Sequence, residues 1–206
     1  MEKVIYILIL LFLENSDFYK NIKVIYDPSI EVLVNKNNKL DENYIPENLE
    51  EINNSYACKE KYLKKEARIS FETMAKEAKK EGYDIIAVST YRSYNYQDKL
   101  YNNYVKSKGI YYADISSARA GFSEHQTGLA VDVADKSLDY DNFEETKEFI
   151  WMINNSYKYG FILRYPKAKF HITGFKYEPW HYRYVGIDIA KIIHDNNITL
   201  EEYYLK

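Results

Sequence analysis

The chain has one cysteine, Cys58, in 206 residues. That excludes an internal disulfide framework and any zinc site built from thiolates, so a metal held here must take His and carboxylate ligands. A basic stripe is also lacking. The formal net charge is −3, the pI is near 5.9, and Lys and Arg are spread along the chain. Nothing in that distribution offers what a phosphate backbone requires, and nucleic acid is not an expected partner. Internal repeats, low-complexity tracts and a heptad seam are absent. The N-terminal apolar run, Val4 to Leu13, holds ten residues, whereas a spanning helix needs about 20. Its length suits the apolar core of a signal peptide, although Glu2 precedes it and no A-x-A site follows. Residues 1–20 are therefore expected to be a signal or membrane-anchor segment, which implies an extracytoplasmic protein at the cell wall or membrane. The alternative is a buried strand or helix.

What is present supports one sizeable core, since 46% of the residues are hydrophobic. Residues 21–56 are polar and Asn-rich, with Pro46 interrupting any helix, and read as an extended arm. A single domain is expected from residue 57 to 206. Leu63, Ala67, Phe71, Met74 and Ala78 recur at three and four residues, predicting a helix over 57–80 that Gly82 ends. "DIIAVSTYRS" reads as a strand entering a polar turn, and residues 94–108 as a second helix. A third helix is expected over 143–159, with Phe143, Ile150, Ile153 and Tyr157 inward. Short strands fit "GFILRY" and "WHYRYV", and closing helices follow Gly186 and Thr199. The order predicts an α+β fold, with a small antiparallel sheet flanked by N-terminal and C-terminal helices.

Only four histidines occur. One lies in "FSEHQTGLAVDVADK", seven positions before an aspartate. If residues 128–134 form a strand, period two sends Leu129, Val131 and Val133 to a core face. Asp132 then stands on the other face among Gly128, Ala130 and Ala134, where small neighbours leave room for an ion and a ligand. His125, in the preceding turn, reaches the same space. Alone, the fragment reads first as an ordinary edge strand with a solvated aspartate and a turn histidine. "YEPWHYRYVG" adds His181 as a third ligand. Two imidazoles and one carboxylate suit Zn2+ and leave a position for water, as catalytic zinc does. Glu178, held just before Pro179 in an extended or turning path, is then the spare carboxylate that serves as general base.

At these residues the chain resembles a known family. "SEHQTGLAVD" and "EPWHYRYVG" look like the SxHxxGxAxD and ExxH motifs of the VanY-type zinc D,D-carboxypeptidases, within the LAS peptidase group. "STYRSYNYQ" and "RYPKAKFHITGF" match in order, so the resemblance spans roughly residues 40 to 206. It implies a zinc peptidase domain with His125, Asp132 and His181 as ligands and Glu178 as the base. It also implies a role for Arg92 at the substrate or the developing oxyanion, which the fixed charge and paired donors of a guanidinium suit. Ser93, Gln97, Ser123 and Trp180 are similar to positions around the family's substrate pocket. His171 and His194 match no ligand position. The family commonly has proline where this chain has Ala120, a change that leaves the ligands intact. The implied substrate is the stem peptide of peptidoglycan, the implied reaction is loss of its terminal D-alanine, and a monomer is expected. L,D-carboxypeptidase, endopeptidase and non-catalytic wall-binding readings remain open, and a retained Glu178 speaks against the last.

Overall fold

The computed structural model describes residues 18–205. The expected signal or anchor segment lies largely outside these residues. The strands are β1 (Lys23–Ile25), β2 (Asn38–Leu40), β3 (Leu49–Glu51), β4 (Tyr62–Lys64), β5 (Ile86–Ser89), β6 (Ala130–Ala134), β7 (Phe161–Leu163) and β8 (His181–Tyr184). The helices are α1 (Lys65–Lys80), α2 (Tyr94–Lys108), α3 (Ile110–Ser116), α4 (Lys147–Asn155), α5 (Phe170–Thr173), α6 (Ile187–Asn196) and α7 (Leu200–Tyr204). The fold is α+β, as its element order predicts.

Its centre is a four-stranded antiparallel sheet in the order β5-β6-β8-β7. Leu129, Val131, Val133 and Tyr182 turn to one face and join Phe71, Met74 and Phe161 in the main core. α1 covers that face with Ala67, Phe71, Met74, Ala75 and Ala78, one stripe at helical spacing. The opposite face of β6 and β8 is left for a cleft.

Helix α1 begins later than its apolar spacing predicts. Leu63 is buried, but from strand β4, which pairs with β3 in the register Glu50↔Leu63. A strand's central residue facing the same core imitates one more helical turn. Residues 143–159 also divide: Thr146 caps α4 by accepting from the Phe149 N–H, and 3-10 turns flank it on both sides. Its inward face is Glu148, Phe149, Trp151 and Met152, while Ile150, expected inside, is 54% exposed. The apolar run was long enough to fit two helical registers, and the bulkier aromatic face won burial.

Residues 21–56 lie along the body rather than away from it. Val32, Val34, Leu40, Tyr44 and Ile52 belong to the main core, and β1 and β2 pair in parallel. Among the described residues no helix is long and apolar enough to cross a membrane.

Candidate active site

Register builds the site. In the β6–β8 pairing Asp132 stands opposite His181, and directly opposed residues present their side chains on the same face of a sheet. Ahead of β6, residues Glu124–Thr127 make one 3-10 turn that ends at Gly128 with φ +70°. A Cβ there would come within 2.8 Å of Leu49 Cδ2 and 3.2 Å of the Lys64 nitrogen, so the turn needs glycine both for its left-handed φ and for space. That turn brings His125 over the strand it precedes. Ahead of β8, the Glu178 carbonyl accepts from the His181 N–H at 3.2 Å, closing a four-residue turn with Pro179 second, a position its fixed φ suits. The two ends of "EPWH" are thereby held together.

The side chains converge. His125 Nε2 lies 3.3 Å from Asp132 Oδ2, His181 Nδ1 lies 3.0 Å from Asp132 Oδ1, and Glu178 Oε2 lies 3.7 Å from His181 Nδ1. One ligand atom from each of His125, Asp132 and His181 falls within 4.8 Å of the others. Close as they are, His125 Nε2 and Asp132 Oδ1 are buried without an aligned hydrogen-bond partner. Such atoms are costly unless something else satisfies them. Each nitrogen–oxygen separation, 3.0 Å to Oδ1 and 3.3 Å to Oδ2, is by itself close to the roughly 3.3 Å between two ligand atoms on a tetrahedral zinc with bonds of about 2.0–2.1 Å. The residues present thus fit a zinc ion.

Their electrostatics agree. Burial, reinforced by the Arg92 guanidinium, lowers His125 to about 4, so its ring is neutral. Burial would raise Asp132, but His125 and His181 outweigh it and hold the carboxyl well below its ordinary range. Burial would lower His181, yet contacts with Asp132 and Glu124 prevail and raise it to about 9. Glu178 is pushed up to about 7, by burial first and opposed by His181. A carboxyl balanced near neutrality beside a candidate metal position is suited to proton transfer.

The cleft has a volume of about 240 Å³, and Arg92, Ser123, Glu178 and Trp180 line it with the three candidate ligands. The Arg92 N–H donates to the His125 carbonyl at 3.1 Å, tying the two loops, while its side-chain Nε is buried without a partner. Trp180 meets Tyr140 edge-on at 5.3 Å. Ser93 and Gln97 are placed differently. The Ser93 hydroxyl caps α2 by accepting from the Tyr96 N–H at 3.2 Å. Gln97 is buried behind the wall, its amide donating to the Ala118 carbonyl at 2.7 Å and to Ser117 Oγ at 3.2 Å, and those two residues line the cleft. His171 and His194 are exposed and away from the cleft.

Several residues of the site escaped sequence reasoning. The Thr90 carbonyl lies 2.7 Å from His125 Nδ1. Tyr165 packs its ring 4.9 Å from that of His181. Glu124, between two motif residues, is fully enclosed and bonded to Arg164 and Arg183. A carbonyl leaves no mark in a sequence, but a glutamate inside a histidine motif is a visible signal.

The family model described as VanY, D-alanyl-D-alanine carboxypeptidase, matches residues 60–187. The chain belongs to the VanY family. Over 205 residues this VanY-family chain is 44% identical to YodJ of Bacillus subtilis (strain 168), covering 93% of this chain and 75% of that protein. It superposes on the LdcB LD-carboxypeptidase with a TM-score of 0.84 and 46% identity, covering 90% of each chain. A vancomycin-resistance D,D-pentapeptidase VanY, solved as a glutamate-to-alanine variant with Zn(II), gives a TM-score of 0.75 and 33% identity over 86% of this chain and 99% of that one. Family, fold and the His–Asp–His cluster make this VanY-family protein a zinc metallopeptidase of the carboxypeptidase class.

Proposed function

We propose that the protein removes the terminal D-alanine from D-alanyl-D-alanine-ended stem peptides of peptidoglycan, with His125, Asp132 and His181 holding zinc and Glu178 moving the proton. The observation that carries this reading is the convergence of one ligand atom from each of His125, Asp132 and His181 within 4.8 Å, with His125 Nε2 and Asp132 Oδ1 buried without a hydrogen-bond partner and the Glu178 carboxylate 3.7 Å from His181 Nδ1. Zinc bound there supplies a Lewis acid for the scissile carbonyl and lowers the pKa of the attacking water. Glu178 takes a proton from that water at its carboxylate and passes it to the leaving amine. Arg92, whose Nε has no other partner, offsets the negative charge that develops on the carbonyl oxygen. Ser123 and the wall buttressed by Gln97 receive the peptide end, and Trp180 closes the side next to His181. Ser93 contributes by starting α2, which carries Gln97. The substrate places the protein's action outside the cytoplasm, at the cell wall, and the N-terminal apolar segment supports export or membrane attachment.

The test is to incubate pure protein with a D-Ala-D-Ala-ended pentapeptide, with and without chelator, and to measure D-alanine. Chelator-sensitive release is expected; none from any stem peptide would refute the reading. A second specificity has its own support, since the 46% identical neighbour is an LD-carboxypeptidase. Tetrapeptide and cross-linked muropeptides run in parallel separate it: a preference for tetrapeptide assigns L,D-cleavage, and for cross-links an endopeptidase.

A further inference from the structure

The residue that the proposed mechanism leaves unused is Glu124, and its surroundings are unusually complete on one side. Its Oε1 accepts from Arg164 Nε at 2.8 Å and from an Arg183 Nη at 2.9 Å. Arg164 is closed by Glu201, at 2.8 and 2.6 Å, and Arg183 also donates to the carbonyls of Ile30 and Val32 at 3.0 and 2.7 Å. Two guanidinium and two carboxylate groups balance in charge, so packing and neutrality account for Oε1. They do not account for Oε2. That atom is buried without a hydrogen-bond partner and faces His181 Nε2 at 3.5 Å, which is itself buried without one.

The other histidine shows what such a partner does. Thr90 offers a carbonyl to His125 Nδ1 at 2.7 Å, which fixes the proton there and leaves Nε2 with a free lone pair turned toward Asp132. His181 is turned the opposite way, with Nδ1 toward Asp132 and Glu178. To ligate through Nδ1 it must carry its proton on Nε2, where Glu124 Oε2 is the acceptor in reach. We infer that Glu124 is a positioning residue: its arginine-clamped carboxylate holds the proton on His181 Nε2, aims Nδ1 at the metal, and strengthens it as a donor. This rests on the proposed ligand set.

The experiment uses Glu124→Gln in the full chain. The two arginines require the amide oxygen, so the NH2 group is left facing His181 and favours a lone pair on Nε2, which moves the proton to Nδ1. Zinc affinity, measured by competition with a chromophoric chelator, is expected to fall 10- to 100-fold. Glu201→Gln is the control, because it removes the same charge from the same arginine cluster without facing His181. It is expected to lower Tm and to keep zinc affinity within about twofold of the parent. Equal zinc affinity for parent and Glu124→Gln, or equal losses in the two variants, would overturn the inference. A parent that binds no zinc would overturn the ligand set with it, so the two failures are told apart. Should Glu124→Gln not fold, 15N shifts of His181 in the zinc-loaded parent decide: a protonated Nε2 with metal on Nδ1 is expected, and metal on Nε2 refutes the assignment.

Discussion

At the scale of single residues, the proposed site separates binding from chemistry. His125 and His181 differ by about five units, near 4 and near 9, although both are buried against the same Asp132. Arg92 adds to the burial of the first, and Glu124 reinforces Asp132 on the second. Metal entry near pH 8 therefore displaces one proton, from His181, and none from His125. The apparent zinc affinity should then rise about tenfold per pH unit between pH 7.5 and 8.5, and titrations at those two values check it. A slope near a hundredfold would mean that both rings are charged. Glu178 makes the second prediction. Glu178→Gln keeps the shape of the group and removes its basicity, so turnover should fall about 100- to 10,000-fold with zinc content unchanged by metal analysis. The parent's acid limb, where activity is lost as Glu178 is protonated, should lie below its metal-free value of about 7, because a bound cation favours the carboxylate. Unchanged turnover in the variant would remove Glu178 from the mechanism.

At the scale of elements, what could be read in advance was what lies within one element. The alternation in β6 put Asp132 on a face of small residues, and β6 does so. Pairing was not legible, because Asp132 and His181 are opposed only through a register that joins strands about fifty residues apart. The start of α1 and the facing of Ile150 failed for a related reason, since periodicity alone does not say which core a residue meets. One departure from the family pattern gains a structural meaning here. The Arg119 carbonyl accepts from the Phe122 N–H at 3.0 Å, and Gly121 has φ +86°. Residues 119–122 are thus a type II turn with Ala120 in its second position, which proline favours. Ala120→Pro should stabilise the fold by about 0.4–1 kcal/mol through the unfolded chain and leave zinc affinity unaltered. Denaturant midpoints measure the first. A destabilised variant would mean that the Ala120 N–H or φ is needed.

At the scale of the molecule, the polar arm proves to be structural, because its apolar side chains join the main core and its backbone is bound from inside the body. Arg183 donates to the arm's Ile30 and Val32 carbonyls, and the arm in turn sends in Lys36. Sequence composition could not show this, since a lysine in an Asn-rich stretch reads as solvated. Lys36 is 1% exposed, its ammonium donating to the Asp114 carbonyl at 2.6 Å and lying 4.6 Å over the ring of Phe175, a wall of the cleft. Burial lowers it to about 7, with Asp114 opposing. The unfolded chain keeps that proton to about pH 10.4. Between these values the unfolded state binds more protons, so stability rises with pH, by on the order of 2 kcal/mol from pH 7 to 9. Lys36→Met fills the same slot against the rings without a charge, and the rise attributable to this site should vanish in urea unfolding at the two pH values. If the variant keeps the parent's slope, the ammonium stays charged inside the fold, held by the carbonyl and the aromatic rings, and the arm is fastened by charge rather than by packing.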